Sequence, residues 1–329
     1  MLSKVAKVFV ASILSVLLLS SFAVAEIKVN NPYENVKWDS FGQYKGNLHT
    51  HTNHSEKYNP SALKPEQLIL EYSNRDYDIL AITDHNTLTW PWDDYTKENS
   101  LKMLPVQGNE ISNTHHLLSL FSDFNTTMSN EKEVLKQIGE KEGLAIMAHP
   151  GRYNASSKWY ANLFVTYPHL VGMEVINQGD RYQDDREMWD KTLSVLPPDN
   201  LCWGFANDDT HKVEHIGRDW NIFLLPELTE EDLKDSMITG AFYFSSISTL
   251  ENVVGCPPII NEINVDEKLN TISISAQNSQ KVVWISEGNI IHIGDSVNYK
   301  NAKGMGSYVR AEIIGEGGVS YTQPFGIKK

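Results

Sequence analysis

The stretch KGNLHTHTNHSE (Lys45–Glu56) places three histidines and a glutamate directly after a short apolar run. A core strand has no use for so many imidazoles unless they hold something. His49 and His51 share one face of a strand, as two ligands of one metal must. The pattern recurs along the chain. DILAITDHN ends in Asp84-His85, LPVQGNE ends in Glu110, AIMAHPGR delivers His149, and FANDDTHK delivers Asp209 and His211, while HHLLSLF opens with His115 and His116. Singly these are weak signals: an H-x-H pair often decorates a surface, Asp84 could cap a turn, and Glu110 could be a solvated strand end. Together they are stronger, because seven of the eleven histidines sit at strand C-termini or just beyond them. In parallel α/β barrels those ends converge on one face. Nitrogen and carboxylate ligands suit zinc, manganese or iron better than magnesium or calcium.

The elements that must position them alternate. From about residue 45 to 245, short apolar strand candidates are separated by helical stretches such as KPEQLILEYSNR, NEKEVLKQIGEKEG and TEEDLKDSMITG. The first has Pro65 suited to an opening turn, and the second has Asn130 and Glu133 in capping-box spacing. Such alternation predicts an α/β fold with parallel strands, in a barrel or an open sheet. Composition changes near GCPPIIN (255–261), after which period-two strands broken by Gly and Asn predict a small all-β, β-sandwich-like domain. The expected division is 1–25, 26–250 and 251–329.

The motifs NLHTHTNHSE, AITDHNT, GNEIS, AHPGR and NDDTH, in this order, resemble those of the PHP (polymerase and histidinol phosphatase) metal-dependent hydrolases. The tail YVRAEIIGEGGVSYTQPF is similar to that of a secreted branch related to carbaryl hydrolase. The resemblance spans about residues 45–245. It implies a distorted (β/α)7 barrel holding two or three divalent metal ions. It also implies that His49, His51, Glu110 and Asp209 hold one metal, with Glu110 bridging to a second held by His116 and His149. A third position would use His85 and His211. Where many family members read Ser-Asp-Gly this chain reads Ser55-Glu56-Lys57, so Glu56 would complete that position, with His54 competing. His116 is preferred over His115 as the ligand.

Clustered cations would turn a bridging water into hydroxide near neutral pH and polarise the substrate. No Ser-His-Asp arrangement is visible. Phosphoester hydrolysis is the expected activity, with Glu110 and Asp209 as metal-side catalytic carboxylates and Arg152 as a clamp for a phosphate oxygen. Hydrolysis of a carbamate, amide or carboxylic ester on the same centre is the alternative. A non-catalytic binding module is a third reading, opposed by the near-complete ligand set. Glu174 and Asn177 are expected to support the site rather than ligate, and Lys212 and His215 to be bystanders.

The 329 residues have ordinary globular composition, 41% hydrophobic and 21% charged. A formal net charge of −14 argues against a nucleic-acid or anionic-membrane partner; the hydrolase reading carries the expectation of a small-molecule substrate. Bound metals would invert that sign locally for an anionic substrate. The first 25 residues have Lys4 and Lys7, an apolar run and Ala23-Val24-Ala25, which predicts a signal peptide cleaved after Ala25 and a secreted or periplasmic protein. No other segment is long enough to span a membrane. Cys202 and Cys256 are compatible with a disulfide or with two buried free thiols.

Overall fold

The computed structural model describes residues 27–55, 62–95, 102–113, 115–247 and 254–329. The predicted leader and Glu56 lie outside them. Along the chain, β1 (Lys28–Asn30) and β2 (Gly42–Asn47) precede α1 (Pro65–Ser73), β3 (Ile79–Ala81), β4 (Leu104–Val106), β5 (Gly108–Ile111) and β6 (Leu117–Leu120). Alternation continues with α2 (Glu131–Glu140), β7 (Leu144–Met147), α3 (Ser157–Thr166), β8 (Leu170–Asn177), α4 (Asp184–Leu193), β9 (Trp203–Asn207), β10 (Asp219–Leu225), α5 (Glu230–Thr239) and β11 (Phe242–Ser246). Strands alone follow: β12 (Ile259–Asp266), β13 (Thr271–Gln277), β14 (Lys281–Ser286) and β15 (Asn289–Ile293). The last four are β16 (Ser296–Asn298), β17 (Tyr308–Gly315), β18 (Gly318–Tyr321) and β19 (Phe325–Lys328).

Local chemistry explains the helices. Pro65 opens α1, and the Asn130 side chain accepts the Glu133 N–H at the start of α2. Thr229 caps α5 in the same way, and Gly240 closes it at φ 79°, a conformation that costs glycine little. Val134, Leu135 and Ile138 lie on one face of α2 and are fully buried. Truncating any of them would cost about 2–5 kcal/mol.

The strands form a mixed sheet arrangement rather than an all-parallel one. An 11-stranded sheet runs β1-β19-β17-β18-β11-β10-β2-β3-β4, with β14 and β15 off that path, and a second sheet runs β5-β6-β7-β8-β9. Strands β2-β3-β4 and β7-β8-β9 are parallel, whereas β5-β6-β7 and β2-β10-β11 are antiparallel. Residues 112–116 between β5 and β6 are too few for a parallel crossover, so a hairpin results. Among the described residues no ladder closes the two sheets into one barrel. Two isolated parallel bridges, His85–Glu110 and Thr50–Thr210, join them instead, and both lie where the candidate ligands cluster.

The β-rich part after residue 254 continues the large sheet directly, because β18 pairs with β11. Its core, with Trp284 and Tyr299 at the centre, packs on Tyr33, Leu224 and Tyr243. A bidentate ion pair from Arg310 to Asp190 ties β17 to α4. Cys202 is buried and Cys256 exposed, and both are free thiols, so the disulfide does not form and only one of the thiols is buried.

Candidate metal centre

Each ligand candidate lies in a strand or in the loop beside one of its ends. His49 and His51 follow β2, His85 follows β3, Glu110 is in β5, His116 precedes β6, His149 follows β7, and Asp209 and His211 follow β9. His49 Nε2 lies 3.1 Å from His51 Nε2. Both nitrogens are 3.4 Å from a Glu110 oxygen, and they lie 3.3 and 3.0 Å from Asp209 Oδ1. Glu110 Oε1 also lies 2.6 Å from His116 Nδ1 and 3.2 Å from His149 Nε2, while its Oε2 lies 2.6 Å from His85 Nδ1. His51 further groups with His85 and His211. Its ring centroid is 4.4 Å from that of His85 and 4.5 Å from that of His211.

These contacts fit metal ions. Two imidazole nitrogens cannot turn lone pairs on each other at 3.1 Å without a proton or a cation between them. Ligand atoms around a tetrahedral zinc bound at about 2.0–2.1 Å lie about 3.3 Å apart, close to the observed spacings. His149 Nδ1 is buried with no hydrogen-bond partner among the described residues. Glu110 and Asp209 form ion pairs only with imidazoles among those residues.

The electrostatics of the cluster reflect its shared charges. Burial pushes the Glu110 carboxyl up, but His49, His116 and His149 outweigh it and hold the group well below the usual carboxylate range. Asp209 is held down likewise, against its burial, by His49 and His51. Burial drives His51 down to about 4 despite Asp209 and Glu110, leaving it neutral with a lone pair to donate. His49 shows the opposite balance: burial works against its protonation, but Asp209, Glu174 and Glu110 raise it well above the ordinary value.

A supporting layer fixes the ligands. Glu174, fully buried in β8, lies 2.8 Å from His49 Nδ1 and accepts the His149 backbone N–H and the side-chain amides of Asn177 and Asn207. That contact assigns the proton to Nδ1 of His49 and turns its Nε2 toward the cluster. Asp84 stands outside the groups of candidate ligands. It accepts from Thr52 N–H and from the hydroxyls of Thr52, Ser55 and Thr89, so it organises the loop after β2. His149 (φ 29°) and Asp209 (φ 42°) both occupy the left-handed region. Non-glycine residues hold it at a cost of about 1–3 kcal/mol, a strain that clusters at functional sites.

The structure therefore brings together His49, His51, His85, Glu110, His116, His149, Asp209 and His211. At the third position, Glu56 lies outside the described residues. His51 is the described residue that joins His85 and His211, while His54 sits 3.0 Å from Thr89 Oγ1 and packs on Tyr95. His115 turns away to Glu131 and stacks between Tyr153 and Trp159. Arg152 is exposed with its guanidinium 5.7 Å from the Tyr153 ring centroid, and Tyr153 in turn lies 5.9 Å from His116 and His149. Lys212 is exposed, and His215 accepts the His211 backbone N–H.

No protein-family model matches the chain. By overall fold it is similar to a two-domain protein of Bacteroides vulgatus that contains a predicted PHP-like metal-dependent phosphoesterase. The TM-score is 0.51 at 14% identity, covering 87% of this chain and 96% of the other. That likeness shows a mixed α/β fold of the PHP-like kind. Weaker likenesses extend to an amidohydrolase of Chromobacterium violaceum (TM-score 0.40, 16% identity, 58% of this chain and 96% of the other) and to the lesion-specific endonuclease EndoQ of Pyrococcus furiosus (0.43, 16%, 60% and 56%). In sequence, the chain is 31% identical over 169 residues to the uncharacterised protein MJ1587 of Methanocaldococcus jannaschii, covering 48% of this chain and 96% of that protein. The chain belongs to the family of that archaeal protein.

Proposed function

We propose that this chain is an exported hydrolase whose buried histidine and carboxylate array holds two or three divalent ions of the zinc, manganese or iron class, and that it cleaves a small phosphoester. The observation that carries this reading is the Glu110 carboxylate, fully buried and shared among five imidazoles from four strand ends. Such sharing is what a bridging ligand requires. Cations bound there would acidify water and polarise the substrate oxygen, chemistry the side chains alone lack.

The chain's own groups do the rest. Glu110 and Asp209 supply anionic donors, and Glu174 fixes the tautomer of His49. His85 and His211 are only half-buried, which opens that side of the cluster to a substrate. Arg152 would hold an anionic oxygen beside Tyr153. The two sheets with their bridges would act as one distorted (β/α)7-type barrel with the substrate at its strand ends.

The test uses protein from Glu26 onward, loaded in turn with zinc, manganese or iron and its metal counted. p-Nitrophenyl phosphate monoester, phosphate diester and carboxylic ester are then compared. Phosphate turnover that rises with two or three bound metals supports the reading, and Arg152→Ala should raise KM for phosphate about tenfold while leaving the neutral ester unchanged. Turnover of the carboxylic ester alone would move the activity to carbonyl substrates. A metal-free, inactive chain would end the proposal.

A further inference from the structure

β9 is the last strand of its sheet, so the backbone groups on its outer edge have no ladder partner. Gly204 and Ala206 are satisfied nonetheless, each by one carboxamide side chain. Gly204 N–H donates to Gln323 Oε1 and Gly204 C=O accepts from Gln323 Nε2, both at 2.8 Å. Ala206 N–H donates to Asn221 Oδ1 (3.1 Å), and its C=O accepts from Asn221 Nδ2 (2.8 Å). Asp208 N–H reaches Asn47 Oδ1 at 3.4 Å, and Thr210 C=O accepts the His51 backbone N–H at 2.9 Å. Positions 204 and 206 face the same edge because strand residues alternate, and Asp208 and Thr210 carry its line past the end of β9. Gln323 and Asn221 thus mimic a neighbouring strand, each offering one donor and one acceptor as a peptide unit does, while Asn47 adds an acceptor only and gives its amide to Asp219 C=O.

This stitched edge lies between the two halves of the metal centre. Asp209 continues from β9, and His49 and His51 continue from β2. Asn207 Oδ1 accepts the Leu48 N–H, one residue before His49, while its amide donates to Glu174, which orients His49. Gln323 is fully buried, and its own N–H is held by the Tyr33 hydroxyl, which donates to Phe242 C=O.

The geometry points to Gln323 as a positioning residue for the metal centre: from the C-terminal β region it holds the Gly204 end of β9, the strand that leads to Asp209, and thereby sets Asp209 relative to His49 and His51. The inference rests on the metal-centre reading above. It assigns the β region a part in the site that does not require it to touch substrate.

Zinc alone is the probe. Gln323→Met keeps size and apolar packing but removes both bonds to Gly204. It should weaken zinc at the His49, His51 and Asp209 position at least tenfold, while zinc at the Glu110, His116 and His149 position, whose ligands all come from one sheet, is retained. Asp190→Asn serves as a comparison. It weakens a different buried link, to Arg310 and Tyr308, and should lower Tm without changing the ratio of the two affinities. Equal loss at both positions, or the same loss in both variants, would overturn the inference.

A measurement on the unaltered protein covers the case in which Gln323→Met fails to fold. Coupling is reciprocal, so zinc binding must tighten the edge that positions it. Hydrogen exchange at the Gly204 and Ala206 amides should slow at least fivefold on adding zinc. Unchanged exchange with zinc bound would overturn the inference alone, whereas an unaltered chain that takes up no zinc would overturn the metal-centre reading and this inference with it.

Discussion

The two sheets meet at two seams, and the seams are built differently. At the Glu110 seam the backbones themselves bond. Asn86 N–H donates to Glu110 C=O at 2.8 Å, and Glu110 N–H to Asp84 C=O at 3.3 Å. At the Asp209 seam one backbone bond remains, His51 N–H to Thr210 C=O, and the rest of the edge is held by Gln323, Asn221 and Asn47. A backbone seam is indifferent to side-chain identity. A carboxamide seam can be broken by one substitution, because a buried peptide group left without a partner costs far more than an average hydrogen bond contributes. The shared carboxylate Glu110 thus sits on the robust seam, and Asp209, the other candidate acid ligand, on the fragile one.

The strongest way to break this comparison is at its common ligand. Glu110→Ala should abolish turnover and remove most bound metal, by 100-fold or more in affinity, while the far-UV circular dichroism persists; a variant that keeps full metal content would refute the shared role. Next in size is Asn221→Leu, which strands the Ala206 N–H and C=O in the interior. Denaturant unfolding should register a loss of about 2–5 kcal/mol. A loss below about 1 kcal/mol would show that the carboxamide seam is not fragile.

Acidity offers a third probe of the same seam. Asp219, whose C=O accepts from Asn47, is fully buried, and burial first, then Asp208, pushes its carboxyl up to about 8. The folded state therefore keeps a proton that the unfolded chain releases near pH 4. The stability this group contributes is present below about pH 4 and is lost as pH rises toward 8, with a slope of at most about 1.4 kcal/mol per pH unit. Asp219→Asn keeps an acceptor for Gly179 N–H and should remove that slope, measured as the difference between the two unfolding midpoints across the window. The smallest effect belongs to the Glu110 seam. Ser112→Ala removes one bond from the Asn86 amide and should cost only about 0.5–1 kcal/mol by thermal unfolding, since the backbone pairing beside it stays.

Much of the site was legible because strand ends announce themselves. An apolar run followed by His-Thr-His or Asp-His is visible without any structure, and the ligand-bearing ends do converge. The third position was harder. Spacing drew attention to Glu56, which lies outside the described residues, and to His54; among the described residues the ring that groups with His85 and His211 is His51, and only the fold places an imidazole between two groups at once. The antiparallel β5-β6 hairpin was implicit in the short link between GNEIS and HHLLSLF, yet the helix-strand alternation around it suggested parallel strands throughout. Nothing in the sequence flagged the carboxamide seam. Asn and Gln are read as loop or surface residues, and a buried amide standing in for a strand leaves no periodicity.

The carboxamide seam also has a timetable. Gln323 is made 119 residues after the Gly204 backbone it completes. At about 5–20 residues per second, that leaves roughly 6–24 s of synthesis during which β9 exists without its last stitch. A strand edge with unmet donors and acceptors is a template for the wrong partner. Every described ligand has been synthesised before the interval ends, but the frame that aligns them has not, so the centre is assembled in the order opposite to intuition: chemistry first, alignment last.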